Sequence, residues 1–102
     1  MINLETIKNL NNNDGLTLKN GEPITYRTGW QVATDGVECT TPEDTLEAVK
    51  MYNGNCGIWF ADGIYYIDNS KRVNTKTEAL TIGRRCNQIS ILKWSDMSLA
   101  YC

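Results

Sequence analysis

An internal repeat constrains this 102-residue chain more than any other feature of its sequence. Residues 29–60 and residues 63–94 follow one pattern about 34 positions apart: an apolar segment, a turn, a second short segment and a run opened by Thr. A short apolar run closes each copy. Few positions are identical, among them Gly29/Gly63, Thr41/Thr75 and Leu46/Leu80. The pattern predicts two strand-strand-helix-strand (ββαβ) units, with chance convergence as the alternative to duplication.

A chain of this length with 41 % hydrophobic residues can bury one modest core. We therefore expect a single α+β domain over residues 1–102. Its sheet is antiparallel or mixed and is built from the two ββαβ-like units, with helices mainly on one face. A helix and a hairpin over residues 1–28 precede the units, and a C-terminal strand over residues 95–102 follows them.

Local signals define the predicted helices. Asn3 is expected to cap a first helix. Thr41 is followed by Pro42, a pair typical of a helix start, and Thr75 forms a capping box with Glu78.

Turn residues define the predicted hairpins. Strands at 16–19 and 24–27 flank Asn20-Gly21-Glu22-Pro23. Strands at 56–60 and 64–68 flank Ala61-Asp62-Gly63, which we interpret as a three-residue loop. That loop pairs Phe60 with Ile64 and Ile58 with Tyr66 on one face, and it leaves Trp59, Tyr65 and Ile67 on the other.

Both faces of this second hairpin are apolar and aromatic. One interpretation is that its strands are central and covered on both sides. The other is that Trp59, Tyr65 and Trp94 form an exposed patch that docks on a partner, because aromatic residues dominate interface hot spots.

Charge is distributed unevenly between the two copies. Residues 29–62 carry a formal balance of −5, whereas residues 63–96 carry +3. Such asymmetry can steer association with a complementary protein or between two copies. Arg84 and Arg85 also suit the C-terminal end of a helix without any ligand. The net charge of −2 argues against a general nucleic-acid surface, although Lys71, Arg72, Arg84 and Arg85 leave a local basic site as the alternative function.

The residue types also bear on catalysis and metal binding. The chain contains no histidine, so Ser-His and Cys-His pairs are excluded, and the carboxylates of Glu43, Asp44 and Glu47 suit a helix start. The four cysteines are widely spaced singletons, which favours reduced thiols over a zinc site or a disulfide. We expect no enzymatic activity, metal or cofactor.

Apolar runs of only a few residues predict no membrane span, and the start of the sequence lacks the pattern of a secretory signal. We therefore expect a cytoplasmic protein.

The segment from Cys56 through GIYYID to RRCNQISILKW resembles small proteins carried by phages, prophages and conjugative elements of low-GC Gram-positive bacteria. Proteins of this kind include anti-CRISPR and other anti-defence inhibitors, so the resemblance implies a protein that binds a host effector. We expect a stoichiometric inhibitor of a bacterial defence effector, such as a CRISPR nuclease, acting as a monomer or homodimer. The residues expected to bind the partner are Trp59, Tyr65, Arg72, Arg84, Arg85 and Trp94.

Overall fold

The computed structural model describes all residues from 1 to 102. Seven strands form an antiparallel sheet accompanied by three helices, so the predicted α+β class is confirmed. In chain order the elements are α1 (Leu4–Lys8), β1 (Asp14–Lys19), β2 (Glu22–Pro23), β3 (Trp30–Cys39), α2 (Pro42–Met51), β4 (Cys56–Ala61), β5 (Ile64–Val73), α3 (Lys76–Arg85), β6 (Ser90–Lys93) and β7 (Ser98–Tyr101). No helix combines the length and the apolar character that a bilayer crossing requires.

The chain divides into two compact units, and both are discontinuous in sequence. The first unit comprises Met1–Ile24 and Gly36–Asn69, and the second comprises Thr25–Asp35 and Ser70–Cys102. Strands β3 and β5 each contribute one part to either unit. The strand order is β2-β1-β4-β5-β3 in the first unit and β5-β3-β6-β7 in the second. These units differ from the predicted sequence copies, and a single domain over the whole chain stays a prediction.

In the first unit, α1 and α2 pack on one face of the strands. Both helices begin at a side-chain cap, because Asn3 Oδ1 accepts from the Thr6 amide at 3.0 Å and Thr41 Oγ1 accepts from the Asp44 amide at 3.1 Å. Strand residues that are register partners share a face, as Ile58 and Ile67 do. The buried core consists of Ile2, Ile7, Leu18, Ala48, Val49, Cys56, Ile58, Tyr65 and Ile67.

In the second unit, α3 supplies the apolar cover. Thr75 caps this helix as predicted: its Oγ1 accepts from the Glu78 amide at 3.2 Å and lies 3.2 Å from Glu78 Oε1. The buried core is formed by Val32, Ala79 and Ile91. Gly83 faces this core so closely that a Cβ there would lie 2.6 Å from Cys102 Sγ.

The secondary structure elements recur 34 positions apart, but residues at equivalent positions do not always have the same burial. β3 and β5, and likewise α2 and α3, begin and end at positions that differ by 34. Each sequence copy is therefore strand-helix-strand, and the predicted extra strand in each copy is wrong. Val32 is buried whereas its counterpart Tyr66 is exposed, so the duplication stays a prediction.

The predicted break in the first copy, at Asp35-Gly36, lies inside the continuous strand β3. A Cβ at Gly36 would lie 2.7 Å from the carbonyl oxygen of Ile67. Glycine is therefore needed here for the close approach of a neighbouring backbone rather than for a turn.

The β4–β5 hairpin forms, but its predicted register is wrong by one residue. Asp62 and Gly63 both have positive φ, 52° and 79°, as a two-residue type I′ turn requires. Ala61 therefore pairs with Ile64, and Trp59 pairs with Tyr66. The shorter turn moves Tyr65 and Ile67 to the core face, opposite to their predicted side.

The first hairpin also turns over two residues. Asn20 and Gly21 have φ of 53° and 79°, so Glu22 and Pro23 belong to strand β2 instead of the loop. The predicted strand at residues 24–27 does not form. Proline at this position is compatible with an edge strand, because it has no amide hydrogen to donate to a further neighbour.

Candidate functional site: an exposed aromatic face

The face of β1, β4 and β5 that points away from the first unit's core carries two exposed aromatic side chains. Trp59 is 46 % exposed and Tyr66 is 37 % exposed. Gly15 is the register partner of Trp59 on β1, and Tyr66 is its partner on β5. We define the open face as the set of residues on this side of the three strands: Gly15, Thr17, Gly57, Trp59, Tyr66 and Asp68.

Two glycines shape the open face. A Cβ at Gly15 would lie 3.1 Å from Trp59 Cε3, so the absence of a side chain lets the indole rest on the backbone of β1. Gly57 stands opposite Asp68, and a Cβ there would lie 2.8 Å from Asp68 Oδ1. Glycine inside a strand contributes no side-chain packing, and it often marks a close approach. The result is a flat aromatic surface with a carboxylate beside it.

Of the predicted aromatic site residues, only Trp59 lies on this surface. Tyr65 is 6 % exposed, and its ring stacks on that of Phe60 with centroids 4.4 Å apart. Its predicted position beside Trp59 is therefore wrong, because the hairpin turns over two residues instead of three. Tyr66 takes that position. The Asp62-Gly63 dipeptide, a frequent type I′ turn, was the signal that identifies Tyr66 from the sequence.

Trp94 is buried in the second unit, which contradicts its predicted exposure. Its Nε1 donates to Gln31 Oε1 at 3.0 Å, and its ring meets that of Tyr26 edge-on at 5.5 Å. Gln31 Nε2 in turn donates to Ser70 Oγ at 2.7 Å. An indole with a satisfied N–H and an aromatic neighbour is a structural element of the unit's interior.

Arg72 holds the segment before β3 in place. Its guanidinium carbon lies 5.3 Å from the centroid of Tyr26, its Nε donates to the Thr28 carbonyl oxygen at 3.1 Å, and its Nη1 donates to Asn74 Oδ1 at 2.8 Å. The third guanidinium nitrogen, Nη2, donates to Thr28 Oγ1 at 3.1 Å. Arg72 is therefore committed to contacts within the second unit.

The remaining predicted cations are at the surface of the second unit. Arg84 and Arg85 are exposed in the last turn of α3, where cations complement the helix dipole. Arg84 Nε also donates to the carbonyl oxygen of Cys102 at 3.4 Å. Lys71 is exposed on β5. Arg72 is thus held by contacts within the second unit, whereas Lys71, Arg84 and Arg85 are exposed.

All four cysteines are free thiols. Burial, together with the negative charge of Asp68, raises the pKa of Cys56 to about 12. Burial also raises the pKa of Cys39, with a further contribution from Asp44, although a hydrogen bond with Thr45 acts in the opposite direction. A raised pKa keeps both thiols protonated near neutral pH and makes them poor nucleophiles.

The protein places no group of three or more His, Cys, Asp or Glu side chains where they could hold a metal ion. Comparisons with protein-family models, with curated proteins and with solved structures found no match. The open face is the candidate site because it exposes the aromatic side chains of Trp59 and Tyr66.

Proposed function

We propose that this chain is a protein-binding module and that the open face of the first unit docks on its partner. The observation that carries the proposal is the exposure of Trp59 on a strand, above a glycine that leaves its indole flat and accessible. A rigid aromatic surface of this kind loses little conformational entropy on binding. Tyr66 extends the same surface across the β4–β5 ladder.

The chemistry of the open face favours a protein over a nucleic acid. Asp68 contributes a carboxylate to it, and the chain as a whole has a net charge of −2. A phosphate backbone requires several convergent cations. Arg72, one of the four residues of the alternative basic site, already bonds Thr28 and Asn74.

The identity of the partner is a finer part of the proposal. The resemblance of the second half of the chain to phage and mobile-element proteins supports a bacterial defence effector, inhibited stoichiometrically in the cytoplasm. The absence of histidine and the raised pKa values of Cys39 and Cys56 support binding over catalysis.

The proposal is tested by affinity capture with three immobilised proteins: the wild type, Trp59→Ala and Ile89→Ala. Ile89 is the matched control because it is an apolar residue of the second unit that is 80 % exposed. We expect a bacterial host protein to be retained by the wild type and by Ile89→Ala and to be lost with Trp59→Ala. With the purified partner, Trp59→Ala is expected to raise the dissociation rate, since truncation of an interface anchor acts mainly on that rate.

Circular dichroism of each variant controls for loss of fold. Equal retention by Trp59→Ala and the wild type would refute a role for the open face. The nucleic-acid alternative predicts instead that DNA or RNA is retarded at low salt and that an Arg84→Glu/Arg85→Glu variant loses this retardation. Retardation of this kind without a host-protein complex would replace the proposed function by the alternative.

A further inference from the structure

Strand β7 is an edge strand of the second unit with an unpaired outer side. Its inner side pairs with β6 in the register Ile91↔Ala100 and Leu92↔Leu99. The Cys102 amide donates to the Ile89 carbonyl oxygen at 2.9 Å. Because hydrogen-bonded pairs alternate along an antiparallel ladder, Ala100 also points its backbone groups toward β6. Leu99 and Tyr101 therefore direct their N–H and C=O groups outward.

β7 lacks the features that commonly block an edge. Its sequence, Ser-Leu-Ala-Tyr, contains neither a charge nor a proline, and Leu99 and Tyr101 are 59 % and 75 % exposed. Edge strand β2 differs, since it has only two residues, one of them Pro23, and its Glu22 pairs with the Met1 amino group. Native proteins protect edges by such short, charged or proline-containing strands. An unprotected apolar edge is a template for another strand.

We propose that β7 pairs with β7 of a second copy of this chain, antiparallel about a two-fold axis at Ala100. In this register the outward groups of Leu99 meet those of Tyr101 from the second copy. Each such pair exchanges two N–H···O bonds, and the symmetry repeats the pair. All outward backbone groups of Leu99 and Tyr101 are then satisfied.

Side chains match in the same register. Leu99 of one copy lies directly opposite Tyr101 of the other, on one face of the joined sheet, and aliphatic and aromatic cross-strand partners stabilise such pairs. Because the strand is uncharged, pairing with itself opposes no like charges. A two-fold axis at Leu99 would instead place Met97 opposite Tyr101, and Met97 has a φ of 59° in the turn before β7. Ala100 is therefore the favoured centre.

The helices leave room for this pairing. α3 contacts β6, and its Gly83 also packs on Cys102 at the end of β7. Two helices that each lie over the gap between β6 and β7 of their own copy are about 10 Å apart at ordinary strand spacing. Packed helices need only about 8–10 Å between their axes. A second copy can thus join the edge without displacing α3.

The experiment is sedimentation equilibrium of the untagged chain over a concentration series. We expect the wild-type mass to rise from 11.5 kDa toward twice that value. In Leu99→Lys/Tyr101→Lys, the register places like charges opposite each other twice, so the variant should stay monomeric. In Leu99→Lys/Tyr101→Glu it places opposite charges together, so dimerisation should return. The matched control Ile89→Lys changes an exposed apolar residue outside the outer edge and should dimerise as the wild type does.

Far-UV circular dichroism verifies that each variant is folded, and the rescue by opposite charges depends on the register itself. The proposal is overturned if the wild type stays monomeric at every concentration, if the double-lysine variant still dimerises, or if the Lys/Glu variant does not. Trp59→Ala should retain the dimer, because Trp59 belongs to the first unit. If Trp59→Ala were monomeric, the open face would be the surface of self-association, and pairing through β7 would also be overturned.

Discussion

Cys56 shows how a single side chain is made inert by its surroundings. Its sulfur lies in the core of the first unit, and burial with the nearby charge of Asp68 raises its pKa to about 12. At about pH 8 an ordinary exposed thiol is partly ionised, whereas Cys56 remains a thiol. We expect iodoacetamide to modify the half-buried Cys86 and Cys102 in the native protein and to leave Cys56 unmodified.

Peptide mapping by mass spectrometry measures this difference, and denaturation in urea should make Cys56 as reactive as the other two. Rapid modification of Cys56 in the native protein would show that the thiol is accessible and would contradict its burial in the core of the first unit.

The role of a residue could be predicted from the sequence where it depends only on neighbours within one helical turn. Thr41 and Thr75 cap helices as expected, because a hydroxyl three positions before an amide satisfies it locally. The faces of Tyr65 and Tyr66 were predicted wrongly, because a three-residue loop was expected where Asp62 and Gly63 turn the chain over two residues. The burial of Trp94 depends on Gln31, 63 positions away, and no local pattern reports that contact.

At the scale of elements, positive-φ residues decide where strands and helices end. Gly54 follows α2 with a φ of 76°, and Gly63 turns the β4–β5 hairpin with a φ of 79°. A Cβ at Gly54 would collide with the backbone nitrogen of Gly21, whereas a Cβ at Gly63 would meet no atom within 4 Å. The two glycines thus share a backbone requirement and differ in packing.

We therefore expect Gly63→Ala to lower the free energy of unfolding by about 1–2 kcal/mol, the cost of a left-handed residue with a Cβ. Gly54→Ala should lower it by about 1–3 kcal/mol more, because the new methyl group displaces the Asn20–Gly21 turn. Urea denaturation of both variants measures the difference. Equal losses would show that the turn moves away freely.

The break predicted in β3 was wrong because that strand is set by contacts distant in the chain. Asp35-Gly36 has the composition of a turn, yet β3 continues through it, because β5 brings the Ile67 carbonyl close to Gly36. The open face could be predicted only in part for the same reason. Trp59 was identified, but the glycine beneath it comes from β1, 44 positions earlier.

On the scale of the whole molecule, the two units are joined through shared strands. β3 and β5 each pass from one unit into the other. Each unit is therefore built from two separate segments of the chain. The two copies of the sequence pattern divide near residue 60. In the structure, the N-terminal half of β3 belongs to the second unit, with most of the second copy. The N-terminal half of β5 belongs to the first unit, with most of the first copy. The chain of β3 and of β5 therefore runs continuously from one unit into the other.

This arrangement predicts that the two units unfold together. Ile67 in the first unit and Ile91 in the second are both 1 % exposed, so Ile67→Ala and Ile91→Ala form a matched pair. Each substitution should lower the free energy of unfolding by about 2–5 kcal/mol, because it removes buried apolar atoms and leaves a cavity. Because β3 and β5 are common to the two units, each substitution should lower the urea midpoint of the first unit and that of the second unit by the same amount.

Amide resonances followed by NMR during urea titration resolve the two units separately. In each variant, native signals from Gly57 and from Ala79 should disappear at one urea concentration, since these residues belong to different units. Persistence of Ala79 signals after those of Gly57 are lost in Ile67→Ala would mean that the second unit holds its strands without the first. Coincident loss in both variants would instead make β3 and β5 the physical basis of a single cooperative transition.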